Sequence, residues 1–221
     1  MKKYLKLLSK INFKTIYFNL KYLPFRQAIK LPILISNKVY LRVTSGRLII
    51  DSPIRTGLIH FGYGNVGIFD NKKSRSIWEV SGTIIFKGRC NIGHGSKISV
   101  WSNGKLIIGD NFTITAETSI VAFSEISFGN NCLLSWDILV MDTDFHKIKD
   151  ESGSIINNPR PIFIGDKVWI GCRSLVLKGT IIPNNCIIGA NSTVTKVLDK
   201  VNCLYAGTPV KIVKENISWE S

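Results

Sequence analysis

The chain has 221 residues, is 45% hydrophobic and carries a formal net charge of +14, enough length and apolar content to bury one sizeable core. No apolar run approaches the roughly 18 residues of a membrane-spanning helix, and Lys6, Lys10 and Lys14 break the apolar stretch that a secretory signal requires. Five cysteines (Cys90, Cys132, Cys172, Cys186, Cys203) form an odd set without CxxC spacing, which reads as reduced thiols in a cytosolic protein.

Residues 1–30 predict a short helical or mixed cap that ends near Pro24 or Pro32. The first fifty residues hold eleven Lys or Arg and no acid before Asp51, so +11 of the +14 sits there. Tyr4, Phe13, Tyr17, Phe18, Tyr22 and Phe25 are interleaved with these cations. Such a pattern suits an anionic membrane surface, and equally a docked cap whose cations are solvated. No RNA- or DNA-binding motif accompanies the charge, so no nucleic acid partner is expected. Residues 31–85 alternate weakly (Val39-Tyr40-Leu41-Arg42-Val43, Leu48-Ile49-Ile50) and predict irregular first coils.

From Phe86 the chain beats in sixes. Phe86, Ile92 and Ile98 are six apart, as are Ile108, Ile114 and Ile120. After a two-residue slip come Phe128, Leu134 and Val140, then Ile164, Ile170, Val176, Ile182, Ile188 and Val194 without a break. Four positions after each of the first five members of the last run stands a small or β-branched residue: Val168, Ser174, Thr180, Cys186, Ser192. Glycine follows the aliphatic residue at Gly165, Gly171 and Gly189. A strand alternates faces with period two, so a period of six describes a short flat side followed by a corner. The aliphatic residue fills the axis and the small residue tucks in near the turn. Three hexapeptides make an 18-residue coil, and stacked coils pair at roughly 4.8 Å. The expected fold is an all-β solenoid over residues 31–199, with a basic N-terminal cap at 1–30 and a short C-terminal cap at 200–221. Residues 142–163 are polar, lose the beat and end in prolines, which marks a loop excursion of the kind that carries function.

The chain has three histidines, His60, His94 and His146. His146 opens the excursion in Asp142-Thr143-Asp144-Phe145-His146, where a carboxylate, Asp142 or Asp144, could orient the ring of a general base. His60 and His94 read as structural. Trp136 and Asp137, half a coil earlier, are substrate-binding candidates that offer an aromatic face and a carboxylate. A zinc centre needs convergent histidines, and no two of these are close neighbours in one loop, so no metal is expected.

The run KVWIGCRSLVLKGTIIPNNCIIGANSTVTK, followed by AGTPVKIV, resembles the C-terminal half of the hexapeptide-repeat acetyltransferases, and SWDILVMDTDFHKI resembles O-acetyltransferases of bacterial surface-polysaccharide clusters. The resemblance covers about residues 86–214; the first eighty match poorly. It implies a left-handed parallel β-helix and a homotrimer, with acetyl-CoA lying in a groove between subunits. His146 would take the proton of the acceptor hydroxyl in a direct transfer, with no acyl-enzyme and no metal. Trp169 would wall the groove. Cys172 and Ala190 would meet the pantetheine arm, Thr195 and Lys196 the nucleotide end, and Lys214 a phosphate. Cys172 departs from the small or polar residue usual there, and Leu177 and Pro183 replace turn residues of the repeat. A nucleophilic Cys172 would need a basic neighbour, and Arg173 is adjacent. The implied activity is acetyl-CoA-dependent O-acetylation of a sugar hydroxyl in capsule, O-antigen or exopolysaccharide synthesis. It would take place in the cytoplasm, with residues 1–30 in peripheral contact with the inner face of the membrane near a lipid-linked acceptor. The alternatives are N-acetylation of a nucleotide-linked or lipid-linked amino sugar, and a non-catalytic β-helix binding scaffold.

Overall fold

The computed structural model describes residue 7 and residues 9–220; Lys2, Lys3, Tyr4 and Lys6 of the basic segment lie outside the described residues. Among the described residues, helices α1 (Phe13–Tyr22) and α2 (Phe25–Ala28) precede the strands. The first coil is β1 (Ile33–Ile35), β2 (Val39–Val43) and β3 (Arg47–Ile50); the second is β4 (Ile59–Tyr63), β5 (Ser76–Val80) and β6 (Thr83–Phe86). The third is β7 (Cys90–Gly93), β8 (Lys97–Val100) and β9 (Lys105–Ile108), and the fourth is β10 (Phe112–Ala116), β11 (Ser119–Ala122) and β12 (Glu125–Phe128). The fifth is β13 (Leu133–Trp136), β14 (Leu139–Met141) and β15 (Ile162–Ile164), and the sixth is β16 (Trp169–Ile170), β17 (Leu175–Leu177) and β18 (Ile181–Ile182). A last coil holds β19 (Ile187–Ile188) and β20 (Thr193–Val194), and β21 (Leu204–Gly207) and β22 (Val210–Lys214) end the chain's regular structure.

These strands stack into three parallel sheets, the long sides of a triangular prism. Face A runs β1-β4-β7-β10-β13-β16-β19-β21-β22, face B runs β2-β5-β8-β11-β14-β17-β20, and face C runs β3-β6-β9-β12-β15-β18. The β21–β22 pair alone is antiparallel among these pairings and closes face A.

The six-residue beat is the register. On face A, Ile92, Ile114, Leu134, Ile170 and Ile188 lie directly above one another. Face B stacks Trp78, Ile98, Ile120, Val140, Val176 and Val194. Face C stacks Phe86, Ile108, Phe128, Ile164 and Ile182. All of them are buried, and each such side chain contributes about 1.5–3 kcal/mol. The small slots behave as their sizes require. Ser174 Oγ donates to Gly189 O (3.1 Å) and Thr180 Oγ1 to Val194 O (3.0 Å), so buried hydroxyls serve carbonyls of the adjacent coil.

The vertex between faces C and A carries a second ladder. Asp110 Oδ1 accepts from Arg89 N (2.6 Å), Asn130 Oδ1 from Asp110 N (2.8 Å), Asp166 Oδ1 from Asn130 N (2.6 Å) and Asn184 Oδ1 from Asp166 N (2.8 Å). Each side chain thus satisfies a turn amide one coil earlier. The next residue is left-handed at Asn111, Asn131, Lys167 and Asn185, a conformation that asparagine tolerates well. Glycine precedes the ladder for lack of room: a Cβ on Gly109 would lie 2.2 Å from Gly129 O, and one on Gly165 2.3 Å from Asn184 Oδ1.

Between Phe86 and Ile164, departures from an 18-residue coil gather at one place. The face C column places Phe86, Ile108, Phe128 and Ile164 in successive coils, although their spacings exceed 18. The surplus lies between β8 and β9, between β11 and β12, and between β14 and β15, always at the vertex between faces B and C. The two-residue slip in the beat is the second of these insertions. The third is the excursion, which rejoins the coil earlier than the sequence suggests. Ile162 already pairs with Ile126 and is buried, so Ile162 and Phe163 belong to β15.

Helix α1 caps the open edge of β1. Asn19 Nδ2 donates to Ile33 O (2.7 Å) and Asn19 Oδ1 accepts from Ile33 N (3.2 Å). Thr15 Oγ1 likewise accepts from Ile35 N (3.0 Å) and donates to Ile35 O (3.2 Å). Two polar side chains thereby replace a neighbouring strand. Phe18 inserts beside Trp78, ring centroids 5.0 Å apart, and Trp78 Nε1 donates to Tyr22 Oη (2.9 Å).

Ile170→Ala, which opens the middle of the face A column, should lower stability by about 2–5 kcal/mol. Asp166→Ala, at the exposed ladder, should cost about 0.5–1.5 kcal/mol. Denaturant titration of both variants tests that order, and an equal loss would refute the primacy of the axial column.

Candidate active site

The excursion is a closed loop pinned at its base. Asp142 is buried, and its carboxylate accepts from Phe123 N (2.7 Å) and Ser124 N (2.8 Å) of the preceding coil. Burial pushes its pKa up, opposed by those two amides. Arg160 N donates to Asp142 O (3.1 Å), joining the two ends. Farther out, Asn157 clasps both arms: its Nδ2 donates to Asp144 Oδ2 (2.8 Å) and to His146 O (2.8 Å), and its Oδ1 accepts from Ile148 N (2.7 Å). Lys178, from the coil below, donates to Asp144 Oδ2 and to Asn157 O (2.8 Å). The Lys178 ammonium, then the Asn157 amide, hold the Asp144 carboxyl below its usual range.

His146 stands exposed at this clasp. Its backbone N–H donates to Asp144 O (2.7 Å), and Phe145 before it adopts a left-handed φ of 60°. A cavity of about 150 Å³ beside the ring is lined by Phe123, Thr143, Asp144, Phe145, Asn157 and Pro159. The expectation that Asp142 or Asp144 orients the imidazole is not met by the geometry. Asp142 faces inward to two backbone amides, and Asp144 is taken by Lys178 and Asn157. Both carboxylates position the loop rather than the ring. Sequence reasoning missed Asn157 and Lys178. The signal for Lys178 was its place, the B/C vertex one coil after the excursion.

The other expected residues fall on two vertices, on face A and at one end. Trp136 and Asp137 lie at the A/B vertex, not beside His146; Arg173 N donates to Trp136 O (3.0 Å) and Arg173 Nε approaches Asp137 at 3.9 Å. The basic neighbour that a Cys172 thiolate would use therefore turns to Asp137. Cys172 and Ala190 stack on that same vertex, where Asn191 N donates to Cys172 O (2.8 Å). Trp169 Nε1 donates to Ser135 Oγ (3.1 Å), and its ring lies 6.0 Å from Trp219. Thr195 and Lys196 are exposed after β20, on the B/C vertex two coils below the excursion. Lys214 is exposed at the end of β22 on face A.

The remaining histidines lie away from the excursion, His60 half-buried and His94 buried. Burial, then the Lys10 charge, lowers the His60 pKa to about 4. His94 is buried with Nδ1 3.2 Å from Ser74 Oγ; burial lowers its pKa and Glu117 opposes the shift. The three histidines occupy face A, the A/B vertex and the B/C vertex.

Residues 161–196 match the family described as bacterial transferase hexapeptide (six repeats). Over 203 residues the chain is 29% identical to an uncharacterized 24.8 kDa protein in the cps region of Klebsiella pneumoniae, covering 90% of this chain and 86% of that one. Over 104 residues it is 40% identical to the polysialic acid O-acetyltransferase of Neisseria meningitidis, covering 47% of this chain and 48% of that enzyme. The solved structure of the polysialic acid O-acetyltransferase OatWY matches with a TM-score of 0.51 at 27% identity, over 83% of this chain and 88% of that one. With its axial columns in six-residue register and its coils in three parallel sheets, the chain has the left-handed β-helix fold of the hexapeptide-repeat acetyltransferases and is similar to them in sequence.

Proposed function

We propose that this acetyltransferase moves the acetyl group of acetyl-CoA to a sugar hydroxyl during synthesis of a surface polysaccharide, with His146 as general base. The observation that carries this reading is an exposed imidazole on a clasped loop, beside a cavity, at a vertex of a rigid prism. The Klebsiella relative from a cps region and the polysialic acid enzyme of Neisseria support a glycan acceptor. The coenzyme supplies a thioester carbonyl open to attack. A ring nitrogen of His146 receives the hydroxyl proton as the acceptor oxygen becomes a nucleophile. Asn157 and Lys178 keep the loop in place for that transfer.

The residues present fit coenzyme A. Cys172 and Ala190 present backbone and small side chains at one vertex, and Lys196 and Lys214 are exposed cations able to meet phosphate. Since His146, Thr195 and Lys196 share one vertex while Cys172 and Ala190 share another, a site completed between two copies, as in a homotrimer, accommodates both sets.

The N-terminal helix supports peripheral docking at the inner face of an anionic membrane, beside lipid-linked acceptors. Among the described residues no helix is long and apolar enough to cross a membrane. Helix α1 buries Phe18 and Asn19 on the prism and turns Phe13 (82% exposed), Ile16, Tyr17 and Leu20 (53%) outward at i, i+3, i+4, i+7 spacing. Exposed Phe25 and Ile29 continue the stripe, and Lys21, Arg26 and Lys30 flank it. Apolar anchors ringed by cations match an anionic headgroup layer.

His146→Ala should lower kcat about 10²–10⁴-fold while calorimetric acetyl-CoA affinity stays unchanged; near-normal turnover would sink the base assignment. Asn157→Ala should speed amide hydrogen exchange across residues 144–157 without shifting global unfolding. Unchanged exchange there would remove Asn157 from its positioning role. Phe13→Asp with Leu20→Asp should abolish co-sedimentation with vesicles containing phosphatidylglycerol. Equal binding by this variant, or no binding by the parent chain, would overturn the docking reading.

A further inference from the structure

The three insertions at the B/C vertex each bring one aromatic ring to the same spot. Trp101 follows β8, Phe123 follows β11 and Phe145 lies in the excursion after β14. Their centroids form a triangle, with Trp101 to Phe123 at 5.7 Å, Trp101 to Phe145 at 5.2 Å and Phe123 to Phe145 at 6.4 Å. Despite this packing, Trp101 is 45% and Phe145 47% exposed. A cluster built only to shield the coil edge would bury its rings; this one shows them to solvent. Phe123 and Phe145 also line the cavity beside His146, so the aromatic surface is continuous with the site of proton transfer. A left-handed backbone at a bulky residue is rare, and Phe145 adopts it at the step that sends one side chain to Trp101 and the next, His146, to the cavity edge.

We propose that Trp101, Phe123 and Phe145 form an acceptor platform that binds a run of several linked sugars, with the reacting unit at His146 and the preceding units along the vertex. This rests on the reading of His146 as the base that deprotonates a glycan hydroxyl. The three ring centroids lie 5.2–6.4 Å apart, so with the width of the rings themselves the platform exceeds one sugar ring. The apolar C–H face of a pyranose lies well on an aromatic face, while its hydroxyl rim reaches outward. Exposed Asn158 at the cavity offers its side-chain amide to that rim. The chemistry therefore favours an oligosaccharide or polymer over a free monosaccharide or nucleotide sugar. Trp101 is farthest from the reacting atoms in chain position, so it acts on acceptor length rather than on the acetyl transfer itself.

The test uses size-graded fragments of the host strain's own surface polysaccharide, from one to six repeat units. Binding is measured by calorimetry and transfer by labelled acetyl-CoA, each on the full chain and on Trp101→Ala. Parent affinity should rise with fragment length. Trp101→Ala should flatten that rise, weakening long fragments about tenfold, with KM for acetyl-CoA unchanged and Trp101→Tyr restoring the rise. If fragments bind with this length dependence but no acetyl moves, the platform stands and the reading of His146 fails. Length-independent binding by the parent chain, or an unaltered rise in Trp101→Ala, overturns the platform. So does a loss of subunit association in Trp101→Ala by sedimentation, because a neighbouring copy would then be the occupant of the rings.

Discussion

The whole molecule depends on vertical register. Each inward side chain must land on an aliphatic or aromatic partner in the next coil, because a shift of one residue along a strand turns its buried set outward. Here the constraint is met three times over, on three faces, and the columns are nearly continuous from Trp78 to Val194 on face B and from Phe86 to Ile182 on face C. Polar corner bonds reinforce it. The Asp110-Asn130-Asp166-Asn184 ladder ties each turn to the one before, so a coil cannot slide without breaking turn amides as well as the core.

A strand stack has two ends that other coils do not protect, and the chain treats them differently. At the first coil a helix lends Asn19 and Thr15 to the bare edge of β1 and seats Phe18 against Trp78. At the last, face A is finished by an antiparallel return, and Trp219 Nε1 donates to Lys167 O (2.9 Å) as the tail crosses back. The first device makes one short helix serve two masters, with one side committed to the prism and the other left apolar toward the outside.

Most of the fold was legible before any coordinates because a period of six is itself a geometric statement. The columns around Ile170 and Val176 follow from spacing alone, and the buried Ser174 and Thr180 from residue size. The early coils were harder to read. Between Val39 and Val80 long turns dilute the beat, and Trp78 replaces an aliphatic residue in its column. In the site, His146 was readable as a titratable group on an excursion, whereas its surroundings were not. Asp142 looked like a partner for the ring because it is near in sequence, yet the chain closes over it and gives it to the amides of Phe123 and Ser124. Lys178 and Trp101 belong to other coils and become neighbours of the excursion only when insertions of unequal length are folded onto one vertex. Local spacing carries no record of that stacking.

Because every surplus residue between Phe86 and Ile164 hangs from a single edge of the prism, length changes there leave the axial columns and the Asp–Asn ladder untouched. The scaffold and this edge are therefore structurally separable. A loop on that edge can lengthen, shorten or change its side chains while the rungs keep their spacing. A change of side chains there needs no refolding, only a rewritten margin.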